Sequence, residues 1–355
     1  MIKVFLLAKK VAPVRMEIYN YIAKQVDFTV GYTVSVPEGA QFKTVKLEEK
    51  KLLRFSYKKP SLRKLLKQYD VAILPMDYNM LDVDFYLTFG SRSCKIITWG
   101  IGVPASYTVR FDDPKVKNRM PFFVKRSDAV LFYTEYPKNK YIEQGYSAGK
   151  MFVAPNTTAV NEIPIDRERN SLLFVGSLYP AKQADKLIEA YHYLKGEGVD
   201  LLPLHIIGEG SERQKLEQMV AESQLNNKVF FHGAIYSDDE LEKYYYSARA
   251  VISPDQAGLS VLKTMGYGVP FVTTKDAYTG GERLNIRHEE TGVLMEDVKD
   301  LIETLKDIHD NPKKYADMGK NAYEYYWQYR RPDQMAQGFL DAINYVSIKK
   351  EKNND

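Results

Sequence analysis

The sequence has few of the features that mark a disulfide-built or membrane-spanning protein. Its 355 residues include one cysteine, Cys94, which has no partner within the chain and excludes a scaffold of intrachain disulfides. We therefore expect a reducing compartment. No apolar stretch reaches the ~20 residues of a membrane-spanning helix, because charged residues, glycines or prolines interrupt every run. The run at Val4–Ala8 is also too short for the core of a signal peptide.

Histidine is missing from the first half of the chain, and acidic residues are scarce there. Residues 1–165 hold 26 Lys and Arg against 15 Asp and Glu, whereas residues 166–355 hold 24 against 31. The net charge of +4 therefore conceals a half of net charge +11 and a half of net charge −7, and all five histidines lie in the acidic half. This asymmetry predicts two domains with different binding partners.

Short apolar runs alternate with amphipathic segments in both halves. Continuous Val, Ile and Leu runs are typical of strands that are buried on both faces of a parallel sheet. The predicted strands are Ile2–Ala8, Phe28–Tyr32, Val71–Leu74, Lys95–Thr98, Ala129–Tyr133, Met151–Ala154, Leu172–Val175, Leu204–Ile207, Val229–His232, Val251–Ile252 and Val269–Thr273. The predicted helices are Arg15–Gln25, Lys182–Leu194, Glu212–Ser223, Asp238–Ala248 and Ser260–Tyr267. We predict two doubly wound, Rossmann-like α/β domains with a cleft between them, over residues 1–165 and 166–331.

A strand, a glycine turn and a helix start suggest an anion site near Lys182. The segment LLFVGSLYPAKQADKLIEAY runs from a predicted strand through Gly176 and Ser177 to a helix that begins at this lysine. Free N–H groups at the start of a helix and one ammonium group favour an anionic ligand. The same pattern also fits a solvated lysine, and its glycines match neither a Walker motif nor a dinucleotide motif.

Residues 253–274, SPDQAGLSVLKTMGYGVPFVTT, resemble the donor-binding turn of family-4 glycosyltransferases, which are retaining enzymes of the GT-B fold. The Gly258-Leu259 pair, Met265, Gly268 and Pro270 keep the spacing of that turn. FVGSLYPAK, IIGEGSERQKLE and KVFFHGAIYSDDELEKYYYSARAVISP resemble the flanking segments of the family. VAPVRMEIYNYIAKQ, KIITWGIG and DAVLFYTEYPKNKYIEQGYSAGKMFVAPNT resemble the acceptor domain of capsule and O-antigen transferases. The resemblance covers nearly the whole chain.

The resemblance implies a nucleotide-sugar site in the second domain. Asp255 would face the donor sugar and Lys182 would bind the leaving diphosphate, which makes them the catalytic candidates. The donor-binding candidates are Gly176, Ser177, Gly208, Ile235, Gly258, Leu259, Ser260 and Lys263, and the candidates in the cleft of the acceptor domain are Pro13, Arg15, Gly100 and Gly102. The resemblance further implies that a helix over residues 332–347 crosses back to the first domain.

The sequence departs from the family pattern at three positions. Lys263 stands where most relatives carry the acidic residue that holds the ribose, and Ser177 stands where they carry an arginine for the diphosphate. Ile101 replaces the histidine that some relatives have between the glycines of the WGxG segment. The position of Asp255 also fits a helix N-cap or a loop turn without a catalytic role.

The implied activity is transfer of a hexosyl-type sugar, with retention of configuration, from a nucleotide-diphosphate sugar to a saccharide or polyprenyl-diphosphate-linked acceptor in surface polysaccharide synthesis. The nucleotide sugar is a co-substrate, and neither cofactor nor metal is expected. Asp82-Val83-Asp84 imitates the metal-binding Asp-x-Asp of the GT-A fold but lies in the wrong half of the chain, and no spacing suggests zinc. The alternatives are a degenerate, non-catalytic GT-B protein that binds nucleotide or a partner transferase, and a nucleotide-sugar epimerase.

The stretch Lys43–Lys67 combines ten Lys or Arg residues with interleaved leucines and aromatic residues. A basic amphipathic surface suits an anionic membrane, at about 1 kcal/mol per nearby cation. A solvated face whose leucines belong to the core fits equally well, and nucleic acid is disfavoured because no recognition motif is present. We therefore expect a cytoplasmic protein with a peripheral contact at the inner membrane face.

Overall fold

The computed structural model describes residues 1–90 and 93–351. These residues form two compact units. Unit 1 comprises Met1–Pro104, Pro114–Ala159 and the chain from Arg331 onward, and unit 2 comprises Ala105–Asp113 and Val160–Arg330. No helix among the described residues has both the length and the apolar character needed to cross a bilayer.

Unit 1 is built on a seven-stranded sheet in which every neighbouring pair is parallel. Its elements in chain order are β1 (Lys3–Leu7), α1 (Met16–Ala23), β2 (Asp27–Tyr32), β3 (Lys43–Lys46), β4 (Glu48–Leu52), β5 (Phe55–Lys59), α2 (Leu62–Leu65), β6 (Val71–Pro75), α3 (Leu81–Phe89), β7 (Lys95–Gly100), α4 (Pro121–Arg126), β8 (Ala129–Phe132), α5 (Glu135–Glu143) and β9 (Met151–Val153). The sheet order is β3-β2-β1-β6-β7-β8-β9, and β4 and β5 form a separate antiparallel hairpin.

Unit 2 contains a six-stranded, all-parallel sheet. Its elements are β10 (Ser171–Val175), α6 (Ala184–Gly196), β11 (Leu204–Ile207), α7 (Arg213–Glu222), β12 (Val229–Phe231), α8 (Asp238–Ser247), β13 (Ala248–Ile252), α9 (Ser260–Gly266), β14 (Phe271–Thr274), β15 (Gly292–Met295), α10 (Leu301–Asp310) and α11 (Pro312–Tyr329). The order β12-β11-β10-β13-β14-β15 reverses direction between β10 and β13. This is the doubly wound arrangement, and such sheets bind ligands at the point of reversal.

Side chains alternate between two hydrophobic cores on the two faces of each sheet. In β1, Val4 and Leu6 enter the core that includes α1, whereas Phe5 enters the opposite core. In β10, Phe174 packs with α6 and α10, and Leu173 packs with α9 and α11. Burial on both faces explains why these strands read as unbroken apolar runs. The predicted α/β class with two Rossmann-like domains is confirmed.

The last helix, α12 (Pro332–Glu351), packs within unit 1. The Phe339 ring contacts Trp99 with ring centroids 4.9 Å apart, and Tyr345 contacts Phe152 at 5.3 Å. A Cβ on Gly338 would overlap the backbone carbonyl oxygen of Val153, so glycine is needed where the helix lies against β9. The predicted return of the C-terminal helix to the first domain is therefore confirmed.

One short segment departs from the predicted domain division. Ala105–Asp113 follows β7 in the chain, and the predicted division places this segment in the first domain, residues 1–165. In the structure the segment belongs to unit 2. The physical reason is an ion pair within unit 2 between Arg110 and Asp255, which are 145 residues apart in sequence. No local pattern in the sequence indicates a contact of that range.

Candidate active site

The loop after β10 holds a half-buried lysine, Lys182. Lys182 ends the short 3₁₀ turn Pro180–Lys182, and its Nζ lies 3.0 Å from the place where a Cβ of Gly176 would stand. Nζ forms no hydrogen bond or ion pair with the residues that the structure describes. Burial alone lowers the pKa of Lys182 to about 8. A desolvated ammonium group of this kind favours an anionic ligand.

Three glycine turns stack beside this lysine at the carboxyl ends of β10, β11 and β12. The Gly176 N–H donates to the carbonyl of Ile207 at 2.9 Å, and the Gly208 N–H donates to the carbonyl of Gly233 at 2.8 Å. A Cβ on Gly208 would overlap the Gly176 carbonyl oxygen, so the two turns can approach this closely only because Gly208 has no side chain. The stack brings Gly176 and Gly208 together at the edge of the sheet where the sequence predicted a donor site.

Gln183 connects the loop after β10 with the loop after β13. It has a left-handed backbone with φ 52°, and its Nε2 donates to Asp255 Oδ2 at 3.1 Å. Asp255 is 5% exposed and follows β13, the neighbour of β10 in the sheet. The loops that hold Lys182 and Asp255 therefore lie on either side of the strand reversal, and the hydrogen bond from Gln183, the residue after Lys182, connects them.

The Asp255 carboxylate is occupied by protein donors on both oxygens. Arg110 donates from Nη1 to Oδ1 at 2.5 Å and from Nη2 to Oδ2 at 3.0 Å, which is the bidentate geometry of a strong charge-assisted pair. The Thr274 hydroxyl donates to Oδ1 at 3.4 Å. The Arg110 guanidinium also lies 3.9 Å from the centroid of the Tyr278 ring and donates to the backbone carbonyl of Asp276.

Sequence reasoning missed several members of this cluster. Arg110, Gln183, Thr274 and Tyr278 were not among its candidates. Gln183 carried a signal, since it directly follows the predicted lysine. Arg110 carried none, because it lies in a polar loop of the other half of the chain.

The remaining donor-site candidates lie in unit 2, after β10 and β12 and at the start of α9. Gly258 has open space where a Cβ would point, Leu259 precedes α9 and Ser260 is the first residue of that helix. Ser177 is exposed beside Gly176, and Ile235, after β12, packs on the hydrophobic core that contains α9. The Lys263 ammonium pairs instead with the Asp238 carboxylate at the start of α8.

The four acceptor-site candidates lie after β1 and at the end of β7, at the carboxyl edge of the sheet in unit 1. Pro13 begins a 3₁₀ turn that ends at Arg15. The Arg15 guanidinium donates from Nη2 to Asn156 Oδ1 at 2.6 Å and lies 5.7 Å from the ring centroids of Trp99 and Tyr133. Gly100 ends β7, and Gly102 follows it with φ 82°; a Cβ there would stand 2.6 Å from the Phe132 ring.

No group of three or more His, Cys, Asp or Glu side chains in residues 1–90 and 93–351 is arranged to hold a metal ion. Asp82, from the Asp-x-Asp pattern, accepts a hydrogen bond from the Lys58 backbone N–H at 3.0 Å. Burial, together with the charges of Asp77 and Asp82, raises the pKa of Asp84 to about 6. Asp82 and Asp84 both lie on α3, in unit 1. The loops after β10 and β13, which hold Lys182 and Asp255, belong to unit 2.

Comparison with known families identifies the domain that holds this centre. Residues 156–325, a little under half of the chain, match the family model described as glycosyl transferases group 1. These residues therefore resemble a glycosyl transferases group 1 domain. The match includes Lys182 and Asp255, so the strand reversal of unit 2 lies within the matched residues.

Two curated relatives resemble part of the chain at low sequence identity. The chain is 23% identical over 203 residues to the poly(ribitol-phosphate) alpha-N-acetylglucosaminyltransferase of Staphylococcus aureus, covering 56% of this chain and 40% of the relative. It is 25% identical over 205 residues to the D-inositol 3-phosphate glycosyltransferase of Thermobispora bispora, covering 54% of this chain and 47% of the relative. The chain thus spans less than half the length of these curated relatives.

The fold matches a solved structure along nearly its whole length. The structure of HepE from Anabaena, in complex with UDP, aligns with a TM-score of 0.70 at 15% identity and covers 97% of this chain and 100% of HepE. Together with the two doubly wound sheets, this likeness identifies the GT-B fold with its two Rossmann-like domains.

Proposed function

We propose that this protein is a retaining glycosyltransferase that moves a hexosyl-type sugar from a nucleotide-diphosphate sugar to a saccharide or lipid-linked saccharide acceptor. The observation that carries the proposal is the half-buried Lys182 at the strand reversal, which has no ion-pair partner in the described part of the chain and is followed by Gln183, a hydrogen-bond donor to Asp255. A desolvated cation at this position stabilises a diphosphate as it leaves the anomeric carbon. The group 1 domain match and the UDP-bound structural relative support a nucleotide sugar as the donor.

The acceptor in this proposal is anionic and belongs to surface polysaccharide synthesis. The first 165 residues carry the excess of Lys and Arg, which attracts anionic partners. Two relatives are named for phosphorylated polyols, poly(ribitol-phosphate) and D-inositol 3-phosphate. A polyprenyl-diphosphate-linked saccharide offers the same chemistry, an anion next to sugar hydroxyls.

The proposed chemistry needs no side-chain base and no metal. In a retaining transfer of this type the departing phosphate takes the proton of the acceptor hydroxyl on the same face of the sugar. The protein then contributes by holding the leaving charge with Lys182 and with backbone N–H groups near Gly258 and Ser260. Such fixed donors act without reorganisation when the charge develops.

A panel of nucleotide sugars tests this function. The full chain is incubated with UDP-, GDP- and ADP-linked hexoses, with and without lipid-linked or polyol-phosphate acceptors, and released nucleoside diphosphate and products are measured by mass spectrometry. We expect release to depend on the acceptor and the product to retain the anomeric configuration. Nucleotide binding without release indicates the non-catalytic alternative. Conversion of the donor sugar without an acceptor indicates an epimerase.

A peripheral membrane contact through Lys43–Lys67 also belongs to the proposal. Within this stretch, β4 and β5 form a hairpin whose tip exposes apolar side chains: Leu53 is 92% exposed and Leu52 is 57% exposed. Lys50 and Lys51 precede the tip and Arg54 lies within it. Two exposed leucines flanked by cations fit the interface of an anionic bilayer, where the leucines are buried and the cations meet lipid phosphates.

Replacing the two tip leucines should distinguish vesicle binding through the hairpin tip from binding through the other positive charges of the first domain. We expect the wild type to float with phosphatidylglycerol vesicles at low salt, and a Leu52→Ser, Leu53→Ser variant to bind about tenfold less, because each leucine loses its apolar burial. Tyr236→Ser is the matched control, since that side chain is 90% exposed in unit 2. A wild type that stays at the bottom of the gradient contradicts the membrane contact.

A further inference from the structure

The guanidinium of Arg110 is fixed in place by contacts that leave some of its donors unused. Its Nη1 donates to Asp255 and to the Asp276 carbonyl, its Nη2 donates to Asp255, and its plane lies against the Tyr278 ring. A guanidinium has five N–H donors. Two of them, the Nε–H and one Nη2–H, have no acceptor among the residues that the structure describes. Arg110 is 38% exposed, so these donors remain within reach of a ligand.

Asp255 in turn has little capacity left for a substrate hydroxyl. Its two oxygens accept hydrogen bonds from Arg110, Gln183 and Thr274 at 2.5 to 3.4 Å. Sugar hydroxyls that bind this carboxylate would have to displace at least one of these donors. This arrangement suits a role in which Asp255 holds Arg110 in place and Arg110 contacts the ligand.

A second arginine, Arg283, is close enough to Arg110 for the two charges to interact. Arg283 follows β14, and its Nε is buried without a hydrogen-bond partner in the part of the chain that the structure describes. Burial lowers the pKa of Arg283, the charge of Asp276 raises it, and the charge of Arg110 lowers it further. Asp255 already pairs with Arg110, so the unused capacity of the two guanidinium groups lies in the remaining N–H donors of Arg110 and the buried Nε of Arg283. Asp276 is on the exposed side of the cluster, where solvent screens its charge.

We propose that Arg110, anchored by Asp255, is a donor-binding residue that together with Arg283 binds one oxyanion of the nucleotide sugar. The inference rests on the proposed transfer from a nucleotide-diphosphate sugar. The oxyanion is either a phosphate of the diphosphate, for which Lys182 supplies a further cation, or a carboxylate on the transferred sugar. Asp255 is then a positioning residue, because it orients the guanidinium and need not contact the sugar.

Titration calorimetry on the full chain distinguishes these sources. UDP and GDP are each compared with their nucleosides, and UDP-glucose is compared with UDP-glucuronate, for the wild type and for Arg110→Gln, Arg110→Lys and Arg283→Gln. A diphosphate ligand predicts that Arg110→Gln weakens nucleoside diphosphate binding about tenfold, the usual loss for one charge-assisted hydrogen bond, and leaves nucleoside binding unchanged. If the oxyanion is a carboxylate on the sugar, Arg110→Gln should lose the same affinity for UDP-glucuronate and keep its affinity for the other probes. Arg110→Lys, which keeps the charge without the bidentate clamp, should fall between the wild type and Arg110→Gln.

The control variant is Arg287→Gln, which removes an exposed arginine of the same unit that pairs with Glu290 on the surface. It should bind every probe as the wild type does. Equal affinities of wild type and Arg110→Gln for all probes overturn the inference and leave the transferase proposal standing. A wild type that binds no nucleotide or nucleotide sugar overturns both. A loss of nucleoside affinity in parallel with diphosphate affinity indicates structural damage and also contradicts an oxyanion-specific role.

Discussion

Replacing Lys182 with alanine is expected to lower kcat for sugar transfer by about 10²- to 10³-fold, the usual cost of removing one group that stabilises charge in the transition state. The ammonium lies against Gly176 at the end of β10 and has no competing protein anion among the described residues, so its charge is available to a diphosphate. The fold should survive, because the side chain is not part of a hydrophobic core. Steady-state kinetics with the donor selected by the panel measure the effect.

The pH dependence of donor binding gives a second, sharper readout for the same residue. Because burial lowers the pKa of Lys182 to about 8, the side chain is mostly protonated at about pH 7 and mostly neutral at about pH 9. A diphosphate binds the protonated form, so its affinity for the wild type should fall across this range. Lys182→Arg should keep the high-pH affinity, since an arginine stays charged, and Lys182→Ala should be weak throughout.

Lys186→Ala is the matched control for these measurements. Lys186 follows Lys182 by four residues and lies in the first turn of α6, where it is 42% exposed and pairs with Glu189. Its removal should leave kcat and the pH profile unchanged. Undiminished turnover by Lys182→Ala would remove the diphosphate role from this lysine.

The strands and their glycine turns were predictable because their causes are local. A parallel strand covered on both faces must be apolar at successive positions, and this is visible in Leu172–Phe174 and in Ile206-Ile207. Gly208 was predictable from another local cause, because a tight turn at the end of a strand needs a residue without a side chain. The start of α6 was predicted two residues early, because Pro180–Lys182 forms a separate 3₁₀ turn and Gln183 is left-handed before the helix begins.

The charged partners were not predictable, because each pair joins distant parts of the chain. Arg110 and Asp255 are 145 residues apart, and Lys263 and Asp238 are 25 apart on different helices. The sequence shows that Lys263 replaces an acidic residue of the family pattern, but it does not show that an aspartate stands beside its ammonium. Long-range ion pairs depend on the completed fold, whereas periodicity reports only on neighbours along one element.

Replacing Asp255 with asparagine is the other change from which we expect a large effect, a loss of about 10²-fold or more in kcat/KM. The amide keeps the shape of the side chain but removes the charge that holds Arg110, and one of its two polar atoms becomes a donor that faces the guanidinium. The Arg110 guanidinium is then left without its anion in a half-buried position, which is costly.

The kinetic pattern of Asp255→Asn distinguishes the two roles open to this carboxylate. If Asp255 touches the donor sugar, kcat should fall and UDP affinity should stay near that of the wild type. If it acts through Arg110, UDP or UDP-glucuronate affinity should fall as it does in Arg110→Gln, and the double variant should lose little more than either single one. Asp276→Asn is the control, because its backbone carbonyl still accepts from Arg110 while one carboxylate charge is removed nearby. Normal kcat and normal donor affinity in Asp255→Asn would contradict both roles.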